Sequence, residues 1–403
     1  MVIGIIGGGA SGMAAALAAS ENENNQVLLF ERQARVGRKL LATGNGRCNL
    51  TNQNTGGDHY HGDAPGFVLP ALAAFPVEDT LAWFRKMGLY TVTEDTGRVY
   101  PYSDQANSVV DVLRFALQKD NVQLFTGAEV VKIRKSGEGF SLQTAEEAFF
   151  CDKLIIACGG LAGTKLGGSM SGYKLLRSMG HKATRLRPAL VQVKSDWHGC
   201  AGLKGVRANC HAAICHNGQA VAESTGELQF TEYGLSGPVI FEISRDVCQG
   251  SGEWTCVLDL LPPMAEENLK AEILSRMEKN LSVEDLLTGI LHNRLGRVLV
   301  SAAGIRGNRM VSELTQQDIE AVCRMVKSLE VRITDTLDMD SAQVTAGGML
   351  TEEFDPNTME SKLVPGLYAC GEVLDIDGDC GGYNLQWAWS SGRAAGKAAG
   401  GCV

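Results

Sequence analysis

The sequence predicts an α/β fold in which a nucleotide-binding domain is interrupted by a long insertion, and three observations predict it. A short apolar strand, a glycine turn and a helix open the chain in "VIGIIGGGASGMAAALAA", residues 2–19. A strand and a small-residue helix return near the C-terminus in "LVPGLYACGE" and "YNLQWAWSSGRAAG". Between them, alternating strand patterns turn at Asn217-Gly218, and helical periodicity follows Pro262-Pro263. We therefore expect 1–188 and 343–403 to form the nucleotide-binding domain, 189–261 and 331–342 an inserted β subdomain, and 262–330 a helical subdomain.

The opening glycine turn carries a dinucleotide-binding pattern. Gly7, Gly9 and Gly12 fit G-x-G-x-x-G, in which the glycines allow a tight turn, close approach to a pyrophosphate and packing of helix on strand. The next strand, "QVLLFER", ends in Glu31, where a carboxylate can accept hydrogen bonds from a ribose diol. A glycine turn with an acid there by chance is the alternative. The order strand, turn, helix, strand, acid favours a site for an adenine dinucleotide.

Later segments favour FAD over NAD as that dinucleotide. "DKLIIACGG", residues 152–160, is a second buried strand that ends in small residues, and Gly371-Glu372 ends a third. A helix is predicted to begin near Tyr383, directly after Gly381 and Gly382. Its free amides can stabilise the negative charge of a reduced isoalloxazine, and the two glycines let the backbone approach the ring. An ordinary C-terminal helix that begins with glycines is the alternative, but it does not explain why the strand ending in Gly371-Glu372 comes immediately before it.

A long loop follows the second strand in "GRKLLATGNGRCNLTN", residues 37–52. Ordering so many glycine and asparagine residues costs conformational entropy that a ligand can offset. Arg47 and Asn49 offer hydrogen-bond donors from this loop. We expect it to cover the middle of a long cofactor.

These segments together resemble the BaiN-type, aminoacetone-oxidase-like family of bacterial FAD-dependent oxidoreductases. The matching stretches are "GGGASGMAAA", "TGNGRCNLTN", "TGELQFTEYGLSGP", "VTAGGM", "TMESKLVPGLYACGEVLDIDG" and "GGYNLQWAWSSGRAAG". The resemblance implies a Rossmann-like, glutathione-reductase-like FAD-binding domain interrupted by a β-barrel-like subdomain and a small helical subdomain. It also implies a substrate pocket between the flavin and the insertion. This chain has Glu232 where the pattern leads us to expect a histidine.

The resemblance also implies which residues contact the cofactor. Those expected to line FAD are Gly7, Gly9, Ser11, Gly12, Glu31, Lys39, Asn45, Val130, Gly159, Gly371, Glu372, Gly382 and Asn384. The candidate set adds neighbours on the same segments: Ala10, Arg32, Leu40, Thr43, Gly44, Asn49, Cys158, Gly160, Asp377, Gly381, Tyr383 and Leu385.

Composition suggests which partners and which compartment to expect. The 403 residues carry a formal net charge of −9, whereas nucleic acids and anionic membranes attract basic surfaces. We therefore predict a small-molecule substrate, no nucleic-acid partner and no membrane partner. Twelve cysteines without CxxC pairs, and an apolar N-terminus without a basic region, predict a reduced protein of the cytoplasm. The sequence does not indicate an oligomeric state.

Several other chemistries find little support in the sequence. No second G-x-G-x-x-G unit ends in an acid, so NAD(P)H would have to visit transiently as electron donor. Cys48 has no partner at the short spacing of a redox pair. On a strand, His211 and Cys215 would lie about 13 Å apart, too far to share a zinc ion. The segment His59 to His61 is predicted to be a solvated loop, and no metal is expected.

What remains is hydride or electron transfer through flavin N5 to or from a small organic substrate. Tyr383 or Tyr233 could donate a proton, and Arg47 could hold a carboxylate or carbonyl; each tyrosine could equally be a packing residue. We predict NAD(P)H-linked reduction of an activated C=C or C=O bond. An O₂-dependent amine oxidase and a non-catalytic flavin-binding redox module are the alternatives.

Overall fold

The computed structural model describes residues 1–248, 250 and 252–401. The chain divides into two compact units, 1–187 with 343–403 (unit 1) and 188–342 (unit 2). The first part of unit 1 contains β1 (Val2–Ile6), α1 (Ala10–Ala19), β2 (Gln26–Glu31), β3 (Thr51–Asn52), β4 (Tyr60–His61), α2 (Leu69–Ala74), α3 (Val77–Lys86), β5 (Thr91–Thr93), β6 (Arg98–Pro101), α4 (Ala106–Ala116), β7 (Val122–Thr126), β8 (Lys132–Ser136), β9 (Gly139–Gln143), β10 (Ala148–Cys151), β11 (Lys153–Ile156) and α5 (Ser171–Ser178).

The remaining elements follow in chain order. The strand β12 (Arg187–Ala189) leads into unit 2, which contains β13 (Val193–Ser195), α6 (Gly199–Gly202), β14 (Arg207–His216), β15 (Gln219–Phe230), β16 (Gly234–Ser236), α7 (Pro238–Val247), β17 (Trp254–Asp259), α8 (Glu266–Arg276), α9 (Asn293–Ala302), α10 (Gln316–Lys327) and β18 (Leu329–Thr336). Unit 1 resumes with β19 (Val344–Ala346), β20 (Leu367–Ala369), β21 (Asp377–Gly378) and α11 (Tyr383–Gly400).

The core of unit 1 is a five-stranded parallel sheet with the order β20-β11-β1-β2-β7. Strands β1, β2, β11 and β20 are largely buried apolar runs, as parallel sheets covered on both faces require, whereas the edge strand β7 is partly exposed; Ile3, Ile5 and Leu29, for example, have no exposed surface. Because all five strands run in one direction, the turns that follow β1, β2, β11 and β20 emerge at the same edge. Ligands of open α/β sheets bind at that edge.

The two ends of unit 1 are joined by helix packing. Helix α11 crosses α1 closely, and its Gly392 and Gly396 face backbone atoms of Ser11 and Ala15. A Cβ atom on either glycine would collide with those carbonyl oxygens. Small residues on both helices therefore allow their backbones to approach closely, and α11 also packs against β11 and β20.

Unit 2 contains a closed barrel of six strands in the order β13-β16-β15-β14-β17-β18. The predicted turn at Asn217-Gly218 joins β14 to β15, and both residues have positive φ, as a tight two-residue hairpin requires. Helices α7 to α10 contribute buried residues such as Ile243, Leu295 and Val322 to one apolar core with the barrel. The prediction of an α/β fold with a Rossmann-like domain and an inserted barrel is confirmed.

Among the described residues, no single helix is both long enough and apolar enough to span a membrane. One bent pair, Pro65–Ala74 with Val77–Lys86, has the length and composition only when its two helices are taken together.

Candidate functional site

The turn between β1 and α1 is shaped by its glycines. Gly7 has φ +111°, and a Cβ there would collide with the carbonyl oxygen of Ala157. A Cβ on Gly12 would collide with the carbonyl oxygen of Gly7, whereas one on Gly9 would meet no atom within 4 Å. Within residues 9–20, all of which the structure describes, α1 has no side-chain cap and no acidic residue in its first turn. Its N-terminal amides, including those of Ala10 and Ser11, therefore suit an anion such as a pyrophosphate.

Glu31 is held rigidly at the end of β2. Its carboxylate accepts hydrogen bonds from the backbone N–H groups of Gly8 at 2.8 Å and Gln33 at 2.7 Å. Each oxygen can accept a further bond, so the carboxylate can still bind a ribose diol. The neighbouring Arg32 donates instead to the carbonyl oxygen of Gly167 at 2.9 Å.

The ends of β11 and β20 meet beside this turn. The Lys39 Nζ atom lies 2.7 Å from the Glu372 carboxylate, which also accepts the N–H of Thr345 at 2.9 Å. A Cβ on Gly160 would collide with the same carboxylate, and one on Gly371 would collide with the hydroxyl of Ser11. Small residues at both strand ends are therefore needed for this contact between β11, β20 and α1.

The loop after β2 contains a short 3₁₀ helix, Leu40–Gly46, which is broken by left-handed backbone at Gly44 and Asn45. The Thr43 hydroxyl donates to the Leu40 carbonyl oxygen at 2.7 Å. Asn49 lies further on, and its buried Oδ1 atom has no hydrogen-bond partner in the part of the chain that the structure describes. A buried acceptor without a donor is costly, so a ligand N–H or O–H at this position would stabilise the loop.

Helix α11 begins beside Asn49. Gly381 and Gly382 have φ +142° and +103°, and a Cβ on Gly382 would collide with the carbonyl of Thr51 and lie 3.0 Å from Asn49 Oδ1. The described start of α11 has neither a side-chain cap nor an acidic residue in its first turn. Asn384 stabilises the preceding loop by bonding both the N–H and the carbonyl of Gly378. The helix terminus therefore suits an electron-rich group.

The rest of the predicted cofactor set lies on the same elements of unit 1. Asp377 is buried in β21, Leu385 is half-buried in α11, Cys158 and Gly159 follow β11, and Val130 is buried between β7 and β8.

The three predicted catalytic residues have different surroundings. Arg47 stacks on Tyr100 and forms ion pairs with Glu94 and Asp104 at the surface of unit 1. Tyr383 is the first residue of α11 and is 6% exposed. Tyr233 belongs to unit 2, in the connection between β15 and β16, where its carbonyl accepts the N–H of Ser195 at 2.9 Å. Their catalytic roles stay predictions.

Sequence reasoning missed a group of polar side chains beside Tyr383. In the segment predicted as a solvated loop, Tyr60 and His61 form β4, which pairs with β21, and His59 ends the 3₁₀ turn before it. His59 Nδ1 lies 2.9 Å from Asp379 Oδ2, and His61 Nε2 lies 2.6 Å from Asp379 Oδ1. The His59 ring stacks on the Tyr383 ring with 4.2 Å between centroids. We call Tyr383, His59, Asp379 and His61 the α11 cluster; the letters "HYH" and "DGD" were its only sequence signal.

Asp379 makes the cluster sensitive to acid. Burial alone would raise its pKa, but the hydrogen bonds from His61 and His59 outweigh burial and lower the pKa below the usual aspartate value. A lowered native pKa means that this stabilisation is present above the ordinary aspartate pKa and is lost as pH falls through the native pKa.

We therefore expect thermal stability to decline on acidification less steeply in Asp379→Asn than in the natural chain. Thermal unfolding followed by circular dichroism over a descending pH series measures this. Asp58→Asn, at an exposed position beside His59, is the control and should keep the natural slope. Parallel curves for Asp379→Asn and the natural chain would contradict the prediction.

The cysteines near the glycine turn are unsuited to redox chemistry. Burial raises the pKa of the Cys48 and Cys158 thiols to about 12, so both stay protonated at neutral pH. Neither Cys48 nor Cys158 forms a disulfide bond. Within the described ranges, no group of three or more His, Cys, Asp or Glu residues is arranged to hold a metal ion.

An FAD molecule fits the glycine turn, the Glu31 carboxylate, the buried Asn49 oxygen and the two uncapped helix termini, and this combination is that of a Rossmann-type FAD-binding fold. Comparison with known families agrees. The family described as HI0933-like protein Rossmann domain matches residues 1–398, and the chain belongs to this family of flavoprotein oxidoreductases.

Two curated relatives have full-length similarity. The 3-dehydro-bile acid delta(4,6)-reductase of Clostridium scindens is 42% identical over 98% of each chain. The ribosomal RNA dihydrouridine synthase of Escherichia coli is 34% identical, over 97% of this chain and 96% of its own. Among solved structures, a variant of Escherichia coli quinol fumarate reductase FrdA aligns with all of this chain and 70% of its own, at a TM-score of 0.50 and 18% identity. That likeness shows the fold.

The prediction that nucleic acid is excluded as a partner is wrong. The relative from Escherichia coli, and one from Haemophilus influenzae that is 30% identical, are both named as ribosomal RNA dihydrouridine synthases. The charge argument failed because a net charge of −9 is a sum over the whole chain. It does not describe the local surface that meets a nucleic acid, and reading a base does not depend on phosphate contacts alone.

Proposed function

We propose that this chain is an FAD-dependent reductase that adds a hydride and a proton across a C=C bond conjugated to a carbonyl, with NAD(P)H as transient electron donor. One observation carries the proposal: the names of the full-length relatives share this chemistry. A delta(4,6)-reductase acting on a 3-dehydro compound saturates bonds conjugated to a ketone. Dihydrouridine is uridine whose C5=C6 bond, conjugated to the C4 carbonyl, has been saturated.

The cofactor site supports this reaction. The α1 terminus with Gly9 would hold the pyrophosphate, Glu31 the ribose and Glu372 with Lys39 the ribityl chain. The start of α11 at Gly382 would face the electron-rich end of the ring. Bound FAD supplies hydride transfer through its N5 atom. Because burial keeps Cys48 and Cys158 protonated, a thiol-disulfide relay is the weaker reading.

Three side chains are proposed for the substrate's side of the reaction. Tyr383 is proposed as the proton donor, with Tyr233 as the second candidate. Arg47 is proposed to bind a substrate carboxylate or carbonyl. To do so, it must break its ion pair with Glu94 or with Asp104. Because the Asp104 carboxylate is exposed, breaking its ion pair with Arg47 costs little free energy.

The test begins with purified protein under anaerobic conditions. We expect a yellow protein that NADH or NADPH bleaches and that a carbonyl-conjugated alkene reoxidises with saturation of the double bond. A 3-oxo-4,6-diene steroid acid and a uridine-containing RNA are the acceptors to compare, and mass spectrometry of each product identifies the substrate source. Saturated analogues of both are the matched controls.

Other outcomes would contradict the proposal. If an amine, and not a nicotinamide, reduces the flavin and O₂ then reoxidises it rapidly, the protein is an oxidase. A flavin that no nicotinamide or amine reduces would indicate a redox-sensing module without turnover. A protein that stays colourless after reconstitution with FAD would show that FAD is not its cofactor.

A further inference from the structure

The α11 cluster connects a buried phenol to the surface of unit 1. Tyr383 is 6% exposed, whereas the side chains of His59 and Asp379 are 35% and 33% exposed. The Tyr383 hydroxyl lies 3.4 Å from His59 Nε2, and the other ring nitrogen of His59 lies 2.9 Å from Asp379. A continuous row of exchangeable groups therefore runs from Tyr383 to solvent.

The geometry defines which nitrogen of each histidine carries a proton. Asp379 is ionised because its pKa is lowered, so the ring nitrogen facing each of its oxygens must donate. In its neutral form His59 then carries its proton on Nδ1, and its unprotonated Nε2 lies 3.4 Å from the Tyr383 hydroxyl. His61 carries its proton on Nε2. The two histidines thus hold opposite tautomers on one carboxylate.

A second tyrosine in the same strand has a different role. The Tyr60 hydroxyl donates to the main-chain carbonyl of Tyr383 at 3.0 Å, and burial raises its pKa far above the usual tyrosine value. Tyr60 therefore anchors the first turn of α11 without exchanging its proton. Among the described residues, the titratable groups in contact with His59 or its partners include Tyr60, His61, Asp379 and Tyr383, and Asp377 lies opposite His61 in the pairing of β4 with β21.

We propose that His59 relays protons between solvent and Tyr383, and that Asp379 and His61 are positioning residues that fix the tautomer and orientation of His59. This proposal rests on the proposed function. When a hydride adds to one carbon of the conjugated bond, the Tyr383 O–H bond breaks and its proton goes to the other carbon. Neutral His59 first takes a proton from solvent on Nε2, and the imidazolium gives that proton to the Tyr383 oxygen as its own proton leaves. The electrons come from a nicotinamide through the flavin.

The alternative is a purely structural role, which we call a latch: the two histidines would only stabilise the packing of β4 against the start of α11. Main-chain bonds already do this: β4 pairs with β21, and the N–H of Asp379 donates to the carbonyl of His59 at 3.0 Å. A latch also needs no particular tautomer at His59 and no hydroxyl at Tyr383. The two readings therefore differ in proton transfer, which can be measured separately from stability.

The kinetic test uses rapid mixing of the FAD-loaded protein. His59→Gln is expected to slow reoxidation of the reduced flavin by the conjugated acceptor about 10²-fold to 10³-fold, as for loss of a general acid–base group. Its reduction by NAD(P)H, which needs no proton from the cluster, should be unchanged. Tyr383→Phe should show the same selective loss. His211→Gln, at a half-exposed position on the barrel, is the matched control and should behave like the natural chain.

Asp379→Asn supplies a readout that a latch would not change. Without the carboxylate, no group fixes the His59 proton on Nδ1, so the pH profile of the reoxidation rate should change. The solvent deuterium isotope effect on reoxidation should increase in the same variant. An unchanged pH profile would overturn the positioning role of Asp379.

A spectroscopic measurement on the natural protein tests the relay without activity. In ¹⁵N-histidine spectra at alkaline pH, we expect the His59 ring to be protonated on Nδ1 and the His61 ring on Nε2, each assigned among the seven histidines by through-bond correlation to its backbone. A neutral His59 with its proton on Nε2 would overturn the proposal, because Nδ1 would then donate nothing to Asp379 and the carboxylate could not orient the ring. This measurement decides the question even if His59→Gln fails to fold or to retain FAD.

The two proposals fail in different ways. If no conjugated acceptor reoxidises the natural protein, the proposed reductase function is wrong. If the natural protein turns over and both His59→Gln and Tyr383→Phe reoxidise at the natural rate, the function stands and the relay is wrong. Selective loss in Tyr233→Phe alone would assign the proton donor to unit 2 and would also overturn the relay.

Discussion

Gly12→Ala is expected to destabilise the chain whether or not FAD is bound. The added Cβ would collide with the carbonyl oxygen of Gly7 and lie 3.3 Å from the Cβ of Ala157, so the β1–α1 turn must shift. Forced overpacking of this kind costs about 1–3 kcal/mol or more. Urea unfolding of the FAD-free protein, followed by circular dichroism, measures the loss. FAD affinity should fall with it, because the turn that presents the α1 amides is distorted.

Gly9→Ala is the matched control for Gly12→Ala, because it should lower FAD affinity without lowering stability. Its Cβ would meet no protein atom within 4 Å and its φ is −80°, which alanine adopts readily. The FAD-free protein should therefore be as stable as the natural chain or more stable by about 0.4–1 kcal/mol. FAD affinity should nevertheless drop, because the methyl group occupies the space through which a pyrophosphate approaches. Full FAD affinity in Gly9→Ala would show that the cofactor binds elsewhere.

Gly396→Ala should destabilise unit 1 although alanine is the better helix former. The substitution gains about 1 kcal/mol of helix propensity. Its Cβ would nevertheless collide with the carbonyl oxygen of Ala15 and lie 2.8 Å from the Cβ of Ala18, so α11 must move away from α1. We expect a net loss of about 1–3 kcal/mol in the free energy of unfolding. Denaturant unfolding measures it, and FAD retention on gel filtration reports whether the start of α11 has moved.

Lys397→Ala is the control on the same helix, since Lys397 is exposed and its replacement changes helix propensity little. It should leave stability and FAD retention unchanged. If Gly396→Ala were as stable as Lys397→Ala, the close α1–α11 contact would not be what holds the two ends of unit 1 together.

The parts of the fold that were predictable from sequence are those set by local chemistry. The glycine spacing at Gly7 and Gly12 required a tight turn, and Gly381-Gly382 indicated where α11 begins. Asn217-Gly218 required positive φ and therefore a hairpin, which the barrel contains. In each case a backbone conformation that few residues adopt leaves its mark in the sequence.

The parts of the fold and of the candidate site that could not be predicted from the sequence depend on pairing between segments far apart in the chain. Strands β4 and β21 have two residues each and lie more than three hundred residues apart, so no periodicity reveals them. The bonds of His59 and His61 to Asp379 follow from that pairing, and a short polar loop was the natural interpretation of the letters alone. Arg47 was expected to face a ligand, but acidic neighbours at Glu94 and Asp104 could be recognised only once folding brought them near it.

The interrupted course of the chain has a consequence for biosynthesis. Residues 188–342 are contiguous and build their own apolar core, so they can fold as soon as they leave the ribosome. The first 187 residues must wait, since their sheet lacks its β20 edge and their first helix lacks its α11 neighbour until translation is nearly finished. During that interval the apolar flank of β11 is uncovered, and we expect nascent chains stalled before Leu367 to recruit chaperones strongly.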